Sequence, residues 1–562
     1  MPTVSPVSHS AHDVGGGGMS ASGPMQRFWG ITGDGSKALL PILVAVLAIL
    51  TATWASMKWY ETDQWFFLST GREIFKNGIP YENPFSAWPG MRIVVQQWLF
   101  CVLVWLEWSV GGWFALGAAG VLRLLVMCAC ALWYMHVTAR DLDATDRLLV
   151  LLISFPLLVS FERNNPRIYD KAFFFLVLGV LELYSRTGNR RWLWWLPAIV
   201  VLHMNLHASL AIMDLVLAFV YVLPDVRTFR GRIGGRAYGV GRRDVEVRPY
   251  RRLPILACLV VMALAMLVNP YGLDGVLYLV RSIGSAGYEN QISEMLPMTL
   301  VGIYRMGGLM VALFLGAVVI SLILVVLSAS KGRYVQPNAI VLLGFSVAGM
   351  LQERSFTLLG VPMVMVFAQW LSSFRGEERS LDPVFLIPSR SNAISPRMSR
   401  LIWVGCLVMA VLVSGSLLAH PSTMREIEAP SNISGWYPCH CTVPKAMGKA
   451  AWTGRNRVLC HTNVGAYLEL EGFRVSTDTR PEIWDHGVAG GTVDHYKDYI
   501  DACLESNPTA SGSLTSKYVQ SADFDWAVVE GGGSFDTYLK AHPDSWRKVG
   551  SDNGYVFYQR IR

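Results

Sequence analysis

The sequence has 562 residues, of which 52% are hydrophobic and only 16% are charged, and its mean hydropathy is +0.36. Soluble domains of this length carry more charge, so the composition excludes an ordinary soluble protein and predicts a multi-pass membrane protein. The formal charge of +7 is interpreted as loop charge that orients the chain in a membrane, and no nucleic-acid partner is predicted.

Residues 1–36 are predicted to form a disordered cytoplasmic tail, because their Gly- and Ser-rich composition cannot bury a core and contains no signal-peptide pattern. A helical bundle is predicted over residues 37–420. Its apolar runs predict about eleven transmembrane helices, at roughly 38–58, 113–138, 147–161, 170–185, 192–204, 208–223, 253–269, 306–328, 337–351, 356–372 and 401–420. The apolar stretch 97–110 is too short to cross a bilayer and predicts a helix at the membrane surface.

The distribution of Lys and Arg predicts the orientation of the bundle. Loop 225–252 alone has nine arginines against three acidic residues, which is typical of a cytoplasmic loop that also contacts anionic lipid. The N-terminus is therefore predicted to be cytoplasmic. The polar loops 59–97, 162–169 and 270–305 are predicted to lie on the outer face of the cell membrane, together with the C-terminal region.

Residues 421–562 change to ordinary globular composition and predict an extracytoplasmic α/β domain. Strands are predicted in "RNRVLCHT", "FRVSTDTR", "DWAVVEG" and "GYVFYQRI", with helices in "HYKDYIDACLES" and "SFDTYLKAH". An even number of cysteines in an exported domain predicts disulfides, with the first two cysteines pairing to the last two: Cys439, Cys441, Cys460 and Cys503. A zinc site that also uses His440 and His461 is the alternative.

Two charged residues lie deep in predicted spans. Arg123 is in "GAAGVLRLLVMCAC" and Asp214 is in "AIMDLVLAF". Ionisable groups at such depth are costly and are usually paired, so a structural Arg123–Asp214 ion pair is predicted.

Ordered motifs in the predicted outer loops resemble a group of bacterial multi-pass proteins. The stretch "DQWFFLSTGREIFKNGIPYENPFS" followed by "QQWL" is similar to the D-x-W-x-x-L-x-T-G pattern of that group. "NLHASL" resembles its N-L-H-G motif, "NPYG" matches its N-P-Y-G motif, and "GAYLELEGFRVSTDTRPEIW" resembles its G-x-Y-L…D-x-R stretch. Ala208 and Thr479 stand where glycine is usual in the group.

The group is similar to the GT-C superfamily of membrane glycosyltransferases. Many members of the bacterial group have no established activity. The resemblance implies a GT-C-like bundle with an outward-facing site, a polyprenyl-phosphate sugar as donor, and a catalytic carboxylate at Asp63. Such a base would take the proton from an acceptor hydroxyl as it attacks the anomeric carbon. The neighbouring Glu61 is the second catalytic candidate, which could substitute for Asp63 or cooperate with it. The alternative is that Asp63 only stabilises the start of the helix "WFFLSTGREIF".

The remaining candidate site residues are predicted to bind substrate. Arginines can bind the phosphate through paired hydrogen bonds, and the candidates are Arg163, Arg167 and Arg354. Aromatic residues can stack on a sugar face or hold the lipid, and the candidates are Trp65, Trp98 and Tyr169. A second group comprises Asn205, His207 and Glu294. Each of three candidates has an alternative. His207 could be satisfied by a backbone carbonyl, and Arg354 could form a local ion pair with Glu353. Glu294 could be a solvated loop acid.

The predicted function is therefore transfer of a sugar from a polyprenyl-phosphate donor to a cell-envelope acceptor. The predicted partners are membrane lipids, the lipid-linked sugar and a glycan or lipid-linked acceptor. A non-catalytic glycan-binding scaffold and a transporter or flippase are the alternatives, although no internal repeat supports a transporter. The sequence leaves open the sugar, the acceptor, the use of a divalent metal and the oligomeric state, and it gives the C-terminal domain no reaction of its own.

Overall fold

The computed structural model describes residues 34–57, 63–159, 164–224, 250–282, 297, 308–330, 333–380, 396–418, 445–484, 494–552 and 554–561. Five candidate residues lie outside these ranges: Glu61, Arg163, Glu294, Cys439 and Cys441. The predicted tail to residue 33 and loop residues 225–249 also lie outside them. Arg354 is described in its backbone only.

Helices make up nearly all of the described chain up to residue 418. In chain order they are α1 (Asp34–Met57), α2 (Asp63–Asn77), α3 (Trp98–Thr138), α4 (Ala144–Val159), α5 (Arg167–Thr187), α6 (Trp195–Leu206), α7 (Ile212–Val220), α8 (Leu253–Ala265), α9 (Leu273–Ser282), α10 (Gly308–Ser330), α11 (Gln336–Leu351), α12 (Gly360–Ser380) and α13 (Pro396–Leu418). Short 3-10 turns occupy Arg190–Trp194, Ala208–Leu210 and Glu353–Leu359.

Two of the described helices are long and apolar enough to cross a membrane by length and composition. They cover Trp98–Thr138 and Ser355–Ser373, and further apolar helices in the described residues are shorter. The number of eleven spans therefore stays a prediction.

Helix α3 joins two segments that the sequence separated. The predicted surface helix 97–110 and the predicted span 113–138 follow each other without a loop, and helical geometry is broken between them at Gly111 and Gly112. Gly112 has a φ of +56° and a ψ of −142°, a conformation that glycine adopts readily and other residues rarely adopt. The glycine pair is therefore the local cause of the kink.

Helices and strands alternate in the described residues from 445 onward. The strands are β1 (Arg457–Cys460), β2 (Arg474–Val475), β3 (Trp526–Glu530), β4 (Trp546–Asp552) and β5 (Tyr555–Arg560). They form one sheet of order β2-β1-β3-β5-β4, in which the first two pairings are parallel and the last two antiparallel. The helices are α14 (Lys445–Trp452), α15 (Thr462–Leu470), α16 (Pro481–Trp484), α17 (His495–Cys503), α18 (Leu514–Gln520) and α19 (Ser534–Ala541).

The predicted strands "RNRVLCHT", "DWAVVEG" and "GYVFYQRI" are confirmed as β1, β3 and β5, and both predicted helices are confirmed as α17 and α19. The predicted strand in "FRVSTDTR" is only two residues long, at β2. β4 was not predicted.

The segment 78–97, which follows α2, packs against the C-terminal sheet. Ala87 N donates to Val475 O at 2.9 Å, and Val475 N donates to Phe85 O at 2.7 Å. Ser86 thereby forms a parallel bridge beside β2. One hydrophobic core contains side chains from α2, from this segment, from the start of α3 and from the sheet. Two regions about 400 residues apart in sequence thus share a single core.

Candidate functional site

The "NPYG" turn is held by its asparagine. Asn269 Nδ2 donates to Met266 O (2.8 Å) and Gly272 O (2.9 Å), and its Oδ1 accepts from Tyr271 N (2.9 Å). Asn269 is therefore a turn-forming residue. The turn then docks on the 78–97 segment, because Tyr271 Oη donates to Pro80 O at 2.9 Å and Tyr81 Oη donates to Pro270 O.

The "NLHASL" motif contacts the "QQWL" motif. Trp98 Nε1 donates to Asn205 Oδ1 at 2.7 Å, and Asn205 Nδ2 donates to two backbone carbonyls. Ala208 N donates to Gln96 O at 3.2 Å, and Ser209 Oγ donates to Gln96 Oε1 at 2.6 Å. The polar atoms of Trp98 and Asn205 are therefore used to join α6 to α3, which favours a structural role over the predicted substrate contact.

The "STG" and "DTR" motifs meet in a buried ion-pair cluster. Arg480 donates to both oxygens of Glu469 (3.0 and 2.9 Å), to Asp478 Oδ2 and to Thr70 Oγ1. Ser69 Oγ donates to Glu469 Oε2 at 3.1 Å. Arg480 is 5% exposed and both carboxylates are fully buried. The cluster joins α2 to the C-terminal region and explains why both motifs occur together in this chain.

Within this cluster, burial and the neighbouring charges shift each pKa in opposite directions. Burial raises the pKa of Glu469 well above its usual range, although the Arg480 charge acts in the opposite direction. Burial disfavours the charged form of Arg480, but the carboxylates of Asp478 and Glu469 outweigh burial and raise its pKa further. The Arg480 guanidinium also lies 4.5 Å from the centre of the Phe66 ring, a cation–π contact.

Asp63 is the first residue of α2 and is half-buried. Residues 58–62 before it lie outside the described ranges, so the predicted role of Asp63 at the helix start stays a prediction. Its neighbour Gln64 donates a hydrogen bond to Asn164 O. Residue 164 is three positions before Arg167, the half-buried first residue of α5. The starts of α2 and α5 are thereby brought to the same part of the molecule.

The aromatic candidates beside Asp63 are packing residues in this structure. Trp65 is 8% exposed, and its ring makes edge contacts with Trp113 and Tyr467, each at 5.2 Å. Both neighbours pack against the Trp65 ring, and its role in stacking on a sugar face or holding the lipid stays a prediction. Tyr169 is half-buried and contacts Phe100 and Phe173.

The predicted Arg123–Asp214 ion pair is wrong. Arg123 Nη2 contacts both oxygens of Glu107 at 2.5 Å, and its Nη1 donates to Asn164 Oδ1 at 2.7 Å. Glu107 reaches Arg123 because both residues are on α3, on either side of the glycine kink. Asp214 instead accepts from His203 Nδ1 at 2.8 Å.

A chain of four titratable side chains is buried between α5, α6 and α7. His203 contacts Asp214 through Nδ1 (2.8 Å) and Asp170 through Nε2 (3.0 Å). His207 Nδ1 contacts the same Asp170 oxygen at 2.7 Å. Asp214 and His207 were singled out in the sequence, whereas Asp170 and His203 were not predicted. The spacing of the two histidines in "HMNLH", four residues apart, was the available signal, since such residues share one helix face.

The cysteine prediction is corrected at the two described positions. Cys460 and Cys503 are free thiols, so they do not form the predicted disulfides. Burial raises the pKa of Cys460 to about 12, and its Sγ donates to Thr477 O at 3.2 Å. No group of three or more His, Cys, Asp or Glu side chains is arranged to hold a metal ion among the residues that the structure describes.

A small cleft lies between these motifs. It has room for about 10 Å³ of water-sized space and is lined by Ile93, Val94, Val95, Gln96, Gln97, Tyr278, Arg480, Glu482 and Ile483. Ligand sites usually measure roughly 300–1,000 Å³, so this cleft alone is too small for a lipid-linked sugar.

Comparisons with known proteins give structural similarity only. No family model matches the sequence, and no curated protein matches it. Solved structures of an archaeal oligosaccharyltransferase do match. One, from Archaeoglobus fulgidus and tethered to an acceptor peptide, shares 12% identity over 88% of this chain and 69% of that chain, with a TM-score of 0.49.

Two further structures of the Archaeoglobus fulgidus enzyme give similar values. The complex with zinc and sulfate shares 10% identity over 87% of this chain and 68% of that one, with a TM-score of 0.45. The complex with an inhibitory peptide and a dolichol-phosphate shares 11% identity over 90% and 70%, with a TM-score of 0.48. Similarity at this level assigns no role to any residue of this chain.

Proposed function

We propose that this protein is a membrane glycosyltransferase that moves a sugar from a polyprenyl-phosphate donor to a cell-envelope acceptor on the outer face of the membrane. The observation that carries the proposal is the contact between motifs that are far apart in sequence. "STG" contacts "DTR", "NLH" contacts "QQW", and "NPYG" contacts the segment after α2. These are the motifs that resemble the GT-C-like group.

The contacts support the proposal because they hold α2, the helix that carries Asp63, against α3 and against the C-terminal region. The Arg480 cluster fixes one face of the helix, and α3 packs closely on another face at Gly71. A catalytic group needs such a rigid support, since small misplacements of a reacting group are costly. Asp63 starts the helix that these contacts hold.

In the proposed reaction, the acceptor oxygen attacks the anomeric carbon of the donor sugar and the bond from that carbon to the phosphate oxygen breaks. The acceptor proton passes to the Asp63 carboxylate, and the polyprenyl phosphate leaves as an anion. Arg167 is proposed to meet the phosphate charge, with Arg163 and Arg354 as further candidates. Glu61 is proposed to substitute for Asp63 or to cooperate with it, and Glu294 is proposed to bind substrate.

The test is transfer by the purified full-length protein in liposomes, supplied with a panel of decaprenyl-phosphate hexoses and pentoses and an envelope-lipid acceptor extract. We expect Asp63→Asn to lower the transfer rate by about 100-fold or more, since a positioned base contributes roughly 10²–10⁴-fold. The matched control is Glu73→Gln on the same helix, where Glu73 accepts only a local bond from Asn77.

The outcomes separate the two parts of the proposal. A folded Asp63→Asn protein with the wild-type rate would remove Asp63 from the reaction but leave the transferase. Absence of transfer by the wild type from every donor, together with normal envelope glycans in a deletion strain, would refute the transferase and favour a scaffold.

A further inference from the structure

Four arginines lie immediately before two neighbouring helices. Arg190 and Arg191 are the first residues of the 3-10 turn that leads into α6, and Arg251 and Arg252 directly precede α8. Three of these arginines are exposed, and Arg252 is half-buried. Between described residues, none of the four forms an ion pair. Their positive charges are therefore available to a ligand.

Tyr184, in the last turn of α5, brings the two pairs of arginines together. Its hydroxyl donates to Arg251 O at 2.7 Å, and the charges of Arg190 and Arg251 both act on that hydroxyl. A second contact joins the same segments, because Cys258 Sγ of α8 donates to Leu193 O of the 3-10 turn at 3.4 Å. The 3-10 turn and the start of α8 therefore lie side by side at one end of the bundle.

The acid on the adjoining turn of α5 is already used elsewhere. Glu182, two residues before Tyr184, accepts from Arg186 Nε at 3.1 Å and from Tyr221 Oη at 2.9 Å. In addition, Arg252 Nε is buried and makes no hydrogen bond to any described residue. A buried donor without a partner costs free energy, so an acceptor supplied by a ligand would be stabilising there.

The residues beside the arginines are apolar and exposed. Trp194 and Trp195 are 75% and 60% exposed, and Leu253 is 74% exposed. The same face of α8 continues with exposed aliphatic residues at helical spacing: Leu256, Val260 and Leu264. Tryptophan is enriched at the head-group level of a membrane, and aliphatic side chains suit its hydrocarbon. Positive charge next to apolar surface therefore matches a lipid with an anionic head group better than an acidic protein segment, which would leave the apolar surface uncovered.

We propose that these four arginines and the two tryptophans form a binding site for the head group of an anionic phospholipid. The guanidinium groups hold the phosphate oxygens through charged hydrogen bonds, and the acyl chains lie along the exposed face of α8. Arg251 and Arg252 end the loop that the sequence predicts as cytoplasmic, so the lipid belongs to the inner leaflet. The inference rests on the proposed function only for the membrane location and involves no sugar transfer.

The test is native mass spectrometry of the purified full-length protein in detergent, titrated with dioleoyl phosphatidylglycerol or with dioleoyl phosphatidylcholine. We expect the wild type to bind phosphatidylglycerol more tightly. The double variant Arg190→Gln/Arg251→Gln should weaken that binding by about 25-fold, since each basic residue at a membrane surface contributes about fivefold. The matched control is Arg281→Gln/Arg400→Gln, which removes the same charge from two exposed arginines on other helices and should bind as the wild type does.

Equal binding of the two lipids by the wild type would overturn the inference, and this comparison decides the matter should the double variant fail to fold. An equal loss in the control variant would also overturn it, because net charge and not this site would then set the affinity. Displacement of the lipid by an equal concentration of glycerol phosphate would show a site for free phosphate instead. Selective lipid binding without sugar transfer would retain this site and remove the transferase, whereas transfer without lipid selectivity would do the reverse.

Discussion

Arg480 is one of the residues that join α2 to the C-terminal region, and its contact with Thr70 spans 410 positions. It donates to Thr70 of α2 and to Glu469 and Asp478 of the C-terminal region, and almost none of its surface is exposed. Buried ion pairs are weak evidence for stability as a whole, because desolvation offsets much of their attraction. Removal of one partner is a different matter, since it leaves the opposite charge buried and uncompensated.

Arg480→Ala is therefore expected to destabilise the protein strongly, by about 3–5 kcal/mol, the usual cost of breaking a buried pair. The measurement is the free energy of unfolding of the C-terminal region, followed by tryptophan fluorescence in urea. Arg474→Ala is the control, because Arg474 is exposed and surface changes usually stay within about 0.5 kcal/mol. Similar losses in both variants would contradict the assigned role of Arg480.

Helix α2 is the element on which the candidate site depends. A Cβ atom at Gly71 would lie 2.0 Å from Cys101 O and 2.9 Å from Trp105 Cβ. Because backbone cannot move aside as a flexible side chain can, only glycine allows α2 and α3 to approach this closely. The glycine of the "STG" motif is thus explained by helix packing, independently of any reaction.

Gly71→Ala is expected to force α2 away from α3 and to cost about 1–3 kcal/mol, as overpacking usually does. Transfer activity should fall with it, because α2 carries Asp63. The control is Gly316→Ala in α10, where no atom lies within 4 Å of the added Cβ and alanine should stabilise the helix by about 0.5–1 kcal/mol. Thermal unfolding of both variants measures this, and an unchanged melting temperature for Gly71→Ala would show that the contact is not tight.

At the scale of the whole molecule, the segment after α2 and the C-terminal region pack together as one body. Trp88 of that segment stacks on His495 of α17, with ring centres 3.8 Å apart and an interplanar angle of 12°. It also makes edge contacts with Trp484, Tyr518 and Phe524. Burial lowers the pKa of His495 to about 4, although the nearby Asp494 charge acts in the opposite direction.

The lowered pKa predicts an acid-sensitive contact. His495 is neutral in the folded protein but takes up a proton near its ordinary pKa of about 6.5 when unfolded, so protonation favours the unfolded state. Its contribution to stability is present above pH 6.5 and is lost as pH falls towards 4. We expect the melting temperature of the wild type to drop further between pH 7.5 and pH 5 than that of His495→Gln. Parallel pH profiles for the two proteins would contradict this.

The sequence predicted those features that depend on local pattern. The strands β1, β3 and β5 and the helices α17 and α19 follow from apolar runs and local periodicity. The Arg480 cluster was not predictable in this way, because its partners are as much as 410 positions apart and each motif alone contains only common polar residues.

The failed Arg123–Asp214 pairing has a similar physical reason. Hydropathy gives the depth of a residue along a span but not the direction in which its side chain points around the helix. Arg123 faces Glu107 across the glycine kink of α3, whereas Asp214 faces the two histidines through His203. The glycine kink brings Glu107 and Arg123, both on α3, into contact. A count of apolar residues does not predict such a contact.

The bridge between Ser86 and Val475 has a consequence for biosynthesis. β2 is the outermost strand on its side of the sheet, and an unpaired outer strand is a template for association with other chains. The segment that pairs with β2 precedes it in the sequence and is therefore synthesised first. It is already present when the sheet forms. Residues 78–97 thus cover an edge strand that could otherwise pair with other chains. A C-terminal fragment produced without these residues would leave β2 exposed to other protein molecules.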